Sequence, residues 1–127
     1  MPRCAPWLAT LAWLALSDIS AAQQRNFPAT ALRGELRIGQ PPEVLLNGRP
    51  ARLAPGSRIR DTQNMLAMSG ALVGQPLRVN YTLDTQGGIL DVWVLTAAER
   101  ARQPWPTSLE QARAWSFDAA AQTWSRP

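Results

Sequence analysis

Hydrophobic and polar residues alternate along the chain between residues 31 and 96. The alternation is clearest in residues 77–83, where Leu77, Val79, Tyr81 and Leu83 are separated by single polar residues. A repeat of two places the apolar side chains on one face of an extended strand. Turn-forming residues recur at short intervals in the same region, a spacing typical of an all-β sandwich or barrel.

The strongest local prediction is a β-hairpin around Thr85-Gln86-Gly87-Gly88. A four-residue loop pairs Asp84 with Ile89 and thereby fixes the register. On one face, this register pairs Leu83 with Leu90, Tyr81 with Val92 and Val79 with Val94. On the other face, it pairs Thr82 with Asp91, Asn80 with Trp93 and Arg78 with Leu95. Ile89 is expected on that second face, together with Trp93 and Leu95.

Further strands are predicted upstream of this hairpin. Residues 32–38 alternate as a half-buried strand, and Asn47-Gly48 predicts a two-residue hairpin turn because both residues tolerate positive φ. Pro50 lies in the returning strand and lacks an N–H, so this hairpin is expected at a sheet edge. Residues 54–57 are expected to form a turn before a short strand at 58–60, and a further strand is expected within residues 65–68.

These elements predict an all-β fold, a small five- to six-stranded barrel of the SH3-like or OB-like type with a short C-terminal helix. An open β-sandwich is the alternative. The barrel domain is expected over residues 31–97, after a flexible N-terminal segment at residues 23–30. In residues 98–127, Pro104-Trp105-Pro106 interrupts regular structure, and Thr107 with Glu110 predicts a capping box for a helix over Leu109–Trp115.

Residues 1–22 have the organisation of a secretory signal peptide. Arg3 precedes an uncharged, mostly apolar run from Ala5 to Leu16, and Ser20-Ala21-Ala22 supplies small residues for cleavage. The run is shorter than the roughly 20 apolar residues that span a bilayer. We therefore expect cleavage after Ala22, a periplasmic location and no membrane span in the mature chain.

Composition restricts the chemistry that this chain can perform. It contains no His, its only Cys is Cys4, and its 13 basic residues are all Arg. A His base, a Lys Schiff base, a thiol nucleophile in the mature chain and a His/Cys zinc site are thus excluded. We expect no enzymatic activity, no catalytic or metal-binding residues and no cofactor. The net charge of +4 suits an envelope protein or an anionic envelope component as partner, and nucleic acid is not expected.

Arginines cluster in one part of the sequence. Arg52, Arg58 and Arg60 are candidates for an anion-binding site, because guanidinium groups match the geometry of carboxylates and phosphates. The alternative is a solvated outer strand face on which Asp61 and Glu43 balance these charges.

Tryptophans are frequent for a chain of this length. Trp93, Trp105 and Trp115 are candidates for an aromatic binding surface. In the alternative, the C-terminal segment covers the second face of the hairpin and buries these indoles against one another. Both interpretations remain open at this point.

Several short segments together resemble a known group of proteins. They are the strand 32–38, Leu45-Leu46-Asn47-Gly48, the run from Leu53 to Arg60, Val79-Asn80-Tyr81 and the run from Asp91 to Thr96. With the signal peptide, they are similar to small exported proteins of Burkholderia-type proteobacteria. The resemblance covers about two thirds of the mature chain. It implies export, but no activity and no site residues.

Taken together, these patterns predict an exported periplasmic protein that acts as a non-catalytic binding or accessory module. The alternative is a structural or assembly factor that docks on a larger envelope protein through its Trp-rich C-terminal segment.

The signal peptide generates the first testable prediction. The exported protein should begin at Gln23, because the small residues of Ser20-Ala21-Ala22 fit the signal peptidase site. The intact mass of the protein from a periplasmic extract measures this. A mass that still includes residues 1–22, or retention in the inner membrane, would contradict it.

Overall fold

The structure is a computed structural model that describes residues 24–127. The expected signal peptide and cleavage site lie outside these residues. Strands are the main regular structure, and their bounds are β1 Leu32–Ile38, β2 Glu43–Leu46, β3 Arg49–Arg60, β4 Leu66–Ala67, β5 Pro76–Leu83, β6 Ile89–Val94, β7 Ser116–Asp118 and β8 Thr123–Ser125. The two short α-helices are α1 Ala97–Arg100 and α2 Leu109–Ala114. Neither helix is long or apolar enough to cross a bilayer.

Five strands close into a barrel. β1 lies between β2 and β5, β5 pairs with β6, and β6 returns to β3, which pairs with β2. β4 adds to the free side of β3 as a sixth strand. The β3–β6 pair is parallel and the other pairs are antiparallel. The expected small barrel is confirmed, and its connectivity is that of the OB-like alternative, a five-stranded Greek-key barrel.

The barrel interior is filled by the apolar positions of the alternating strands. In β1, buried and accessible residues alternate along the strand, so that Leu36 and Ile38 point inward while Glu35 and Arg37 are exposed. The buried residues of this first core are Leu32, Leu36, Ile38, Val44, Leu53, Ile59, Leu77, Val79, Tyr81, Ile89 and Val92. Binary patterning thus predicts the barrel core well.

The hairpin of β5 and β6 has the expected register over most of its length. Val79 pairs with Val94, Asn80 with Trp93 and Tyr81 with Val92.

The predicted register is wrong at the end of this hairpin next to the turn. Leu83 pairs with Ile89 instead of Leu90, so β6 has one extra residue opposite Thr82. The cause is Asp84, whose N–H donates to the Gly88 carbonyl at 2.8 Å and whose carboxylate accepts the Gly88 N–H at 2.7 Å. This tightened loop turns Ile89 into the barrel core, where it is 1% exposed, instead of onto the second face.

β3 is longer than the sequence predicts. The expected turn at residues 54–57 is a bulge within one continuous strand of 12 residues, and Gly56 adopts φ +79° there. β3 pairs with β2 over residues 49–52, and with β6 at Leu53 and again at residues 58–60 beyond the bulge, so the strand has to bend around the barrel. Pro50 pairs only with β2, on a stretch of β3 that β6 does not reach.

A second core lies on the outer face of β6. Its buried members are Phe27, Ala31, Leu95, Trp105 and Trp124, and Trp93 packs against them. The indole N–H of Trp105 donates to the Ala31 carbonyl at 3.0 Å. The C-terminal segment therefore covers the second face of the hairpin.

The N-terminal residues are packed where a flexible segment was expected. Arg25 and Phe27 are both buried, and the Phe27 N–H donates to the Gln122 side chain at 2.7 Å. Alternation could not reveal this segment, because its hydrogen bonds are made with residues 36 to 95 positions away.

The C-terminal segment contains more regular structure than expected. The helix is present as α2, but its cap is Ser108, which accepts the Gln111 N–H, and not Thr107 with Glu110. The β7–β8 hairpin and α1 were not predicted. α1 begins with a capping box formed by Thr96 and Glu99.

The β2–β3 turn provides a test of the barrel. Asn47 and Gly48 have φ values of +54° and +79°, as a two-residue hairpin turn of this type requires. Replacing Gly48→Val should lower the free energy of unfolding by about 1–2 kcal/mol, because a β-branched residue is strained at positive φ. Denaturant melts measure the change. Gly70→Val is the matched control, since a Cβ at Gly70 meets open space at an ordinary φ; equal losses in both variants would contradict the assignment.

Candidate functional site

An arginine-lined cleft is the most distinctive polar feature of the described surface. This basic cleft has a volume of about 510 Å³ and lies between the start of β1, the β2–β3 turn, β5 and residues 103–107. Its charged lining residues are Arg33, Arg78 and Arg126, and Asn47 and Thr107 add polar groups. Among residues 24–127, no carboxylate lines it.

Arg33 is held in place from several directions. Its Nε donates to Oδ1 of Asn80 at 3.2 Å, and its two terminal nitrogens donate to the carbonyls of Arg102 and Glu99. The guanidinium lies over the Trp105 ring, 4.9 Å from its centroid. The position of this charge is thus fixed before any ligand arrives, which lowers the ordering cost of binding.

The charge on Arg33 is only partly compensated. Burial lowers the pKa of Arg33 to about 10; Glu99 opposes this shift, while the neighbouring Arg102 and Arg78 charges add to it. The side chain is still protonated at neutral pH. An anion in the cleft would counter this excess of positive charge.

Glu99 is already paired with Arg25. Both side chains are buried, and the guanidinium donates to both carboxylate oxygens of Glu99. Arg25 also donates to the carbonyls of Asp61 at 2.8 Å and Val94 at 2.7 Å. Burial alone would raise the pKa of Glu99, but hydrogen bonds from Arg25 and Thr96 and the Arg25 charge outweigh it, so the pKa lies below its usual value.

Two buried donors beside Arg33 have no hydrogen-bond partner among the described residues. They are Nδ2 of Asn80 and Nη1 of Arg102. Asn80 is fully buried and already accepts from Arg33 through its other side-chain atom. Neither residue lines the basic cleft, and Arg102 lines a separate cavity beside Arg25 and Glu99.

The arginines singled out from the sequence lie elsewhere. Arg58 and Arg60 share the outer face of β3 with Asp91 and Trp93 of β6. Arg60 approaches the Asp91 carboxylate at 3.6 Å and lies over the Trp93 ring at 5.6 Å. The Asp91 carboxylate therefore already offsets one of these two charges.

Arg52 is separated from Arg58 and Arg60 by the β3 bulge. It is exposed and lies opposite Glu43 in the β2–β3 register. The Asp61 carboxylate, the other expected partner, accepts the backbone N–H groups of Gln63 and Met65. The structure thus brings together two of the three candidate arginines and leaves Arg52 near a different surface.

The three candidate tryptophans do not form one exposed platform. Trp105 is 5% exposed and lies inside the second core. Trp93 is half-buried and contacts Phe27 edge-on, with ring centroids 5.5 Å apart. Trp115 is half-buried beneath Arg126 at 5.3 Å, so it supports a side chain that lines the basic cleft.

None of the three arginines of the basic cleft is among the candidates that the sequence indicates. Alternation correctly places Arg33 and Arg78 on the outer faces of their strands. Their proximity depends on the β1–β5 pairing and on the return of residue 126 to the barrel. Neither contact has a local signal in the sequence.

The chain matches no protein-family model, no curated protein and no solved structure. Among residues 24–127, no three His, Cys, Asp or Glu side chains are grouped so that they could hold a metal ion. Function therefore has to be inferred from the geometry and charge of the site.

The Arg25–Glu99 pair predicts a dependence of stability on pH. Because the folded-state pKa of Glu99 is below its unfolded value, the stabilisation is present above about pH 4.5 and is lost as the pH falls through the folded-state pKa. Glu99→Gln should cost about 3–5 kcal/mol at pH 7, since Arg25 is left buried without a counter-charge. This variant should also lose less stability than the wild-type protein as the pH falls from 5 to 2.

Denaturant melts across this pH range provide the measurement. Glu110→Gln is the control, because Glu110 is exposed on α2 and should keep the wild-type pH profile. A Glu99→Gln variant with the wild-type acid dependence would show that another carboxylate is responsible.

Proposed function

We propose that the protein is an exported, non-catalytic binding module whose basic cleft binds an anionic group of an envelope component. The observation that carries the proposal is the cleft itself, in which three arginines converge and no described carboxylate lines the wall. Guanidinium groups bind carboxylates, phosphates and sulfates through paired hydrogen bonds.

The chemistry of the cleft favours holding a ligand over transforming it. Its ionisable side chains are arginines, and Arg33 retains its proton far above neutral pH. A group that stays protonated is a poor general base near pH 7. The absence of His and Lys from the whole sequence supports the same interpretation.

The proposed export rests on the organisation of residues 1–22 and is compatible with the described fold. Arg25 and Phe27, which follow the expected cleavage site after Ala22, are buried in the folded body. Cleavage there would leave both of these buried residues in the mature chain.

The structure gives less support to the alternative function. In that alternative, the protein docks on an envelope protein through its Trp-rich C-terminal segment. Trp105 and Trp124 are buried in the second core, and Trp115 lies beneath Arg126. Indoles engaged in this way are available to a partner only if the segment detaches, at the cost of their burial energy.

The basic cleft can be tested with small anions. The mature protein should bind citrate, inorganic phosphate or sulfate in a calorimetric titration, with an affinity that falls as salt is added. Arg78→Gln and Arg126→Gln should each weaken binding about five- to tenfold, because each removes one charge-assisted contact. Both residues are exposed, so the melting temperature should change little.

Arg58→Gln is the matched control for these variants. It is an exposed strand arginine outside the basic cleft, and its loss should leave the affinity unchanged. The proposal fails if none of the three anions binds, or if Arg58→Gln weakens binding as much as the cleft variants do.

A further inference from the structure

The basic cleft continues along the barrel. A cavity of about 420 Å³ follows the β2–β3 turn and shares Asn47 with the cleft. A third cavity, of about 690 Å³, shares Pro50 and Ala51 with the second and reaches Arg37 and Arg52. The three cavities adjoin one another at these shared residues, and together we call them the extended groove.

Positive charge accompanies the extended groove over its whole length. Its arginines are Arg33, Arg78 and Arg126 in the cleft, Arg49 beyond the turn, and Arg37 and Arg52 at the far end. Two carboxylates lie close to it: Glu43, which faces Arg52, and Glu35, which faces Arg78. Six arginines against these two carboxylates leave the groove positive.

Apolar surface lies between the charges at the far end. Leu45 is 41% exposed and Val73 is 48% exposed, and both line the third cavity together with Pro50. Arg37 lies directly opposite Leu45 in the β1–β2 register, and Leu45 lies opposite Pro50 in the β2–β3 register. Apolar and cationic side chains therefore adjoin within this part of the groove.

We propose that the extended groove binds a linear acidic polysaccharide several units long. The C–H faces of the sugar rings pack on the apolar side chains, and successive carboxylate or sulfate groups pair with the arginines. The inference rests on the proposed function, because the basic cleft is the first subsite of the groove.

The structure favours a polysaccharide over an acidic peptide. An extended peptide commonly binds by adding a strand to a free sheet edge. β2 is paired on both sides within the closed barrel. β3 has no second partner strand at residues 49–52, which line the groove, but Pro50 offers no N–H to an added strand there. Addition of a peptide strand is therefore blocked along β2 and disfavoured along this part of β3.

The structure also favours a polysaccharide over single-stranded nucleic acid. Proteins that hold single strands stack the bases on accessible aromatic side chains. Among the described residues that line the three cavities, Trp105 is the one aromatic side chain, and it is buried beneath Arg33.

The test measures how affinity depends on ligand length. Oligogalacturonates from the monomer to about eight units are titrated into the mature protein, with neutral maltooligosaccharides of the same lengths as controls. Affinity should rise about tenfold or more from monomer to the longest oligomer, because additional subsites are filled. The salt dependence should steepen with length, and the neutral sugars should not bind.

Variants locate the additional subsites. Arg49→Gln and Arg37→Gln should weaken binding of the long oligomer several-fold while citrate binding in the basic cleft stays unchanged. Arg58→Gln again serves as the control. All three positions are exposed, and equal melting temperatures confirm that the variants are folded.

Each result distinguishes this inference from the proposed function. If citrate binds but affinity does not increase with oligomer length, the polysaccharide inference is wrong and the basic cleft remains a small-anion site. If neither ligand binds, the proposed function itself fails. Tighter binding of polyglutamate or single-stranded DNA of equal charge would overturn the choice of polysaccharide.

Discussion

The buried ion pair between Arg25 and Glu99 connects the fold to the candidate site. Through its hydrogen bonds, Arg25 joins the N-terminal segment to α1, to the end of β6 and to the residue that follows β3. Glu99 also acts on the basic cleft, because its charge favours the protonated form of Arg33. Because the Glu99 carboxylate is committed to Arg25, it offsets the Arg33 charge only in part.

The second core lies next to this ion pair, with the Arg25 guanidinium 5.7 Å from the centroid of the Phe27 ring. A small five-stranded barrel buries a limited apolar surface, so additional packing contributes strongly to stability. Phe27 contacts both Trp93 and Trp105 edge-on, which brings the N-terminal segment, β6 and the C-terminal segment together. Residues from both ends of the described chain thus complete one apolar cluster on the barrel.

The sequence predicts those parts of the fold that local periodicity determines. Alternation and the Asn47-Gly48 turn identify β1, β2, β5 and most of β6. In a strand, successive side chains point to opposite faces, so the sequence alone assigns each residue to a face. The prediction fails at Ile89, because the Asp84 carboxylate tightens the loop and inserts a bulge. It fails for the site because the arginines of the basic cleft meet only through non-local contacts.

The basic cleft is built jointly by the barrel and the C-terminal segment. Arg33 and Arg78 come from barrel strands, whereas Thr107 and Arg126 come from the segment that covers β6. The complete site therefore exists only while that segment is docked. An anion bound across the two parts favours the docked state, and by linkage it stabilises the second core as well as the cleft. The tryptophans of the segment then serve binding indirectly, because their burial holds Thr107 and Arg126 against the barrel.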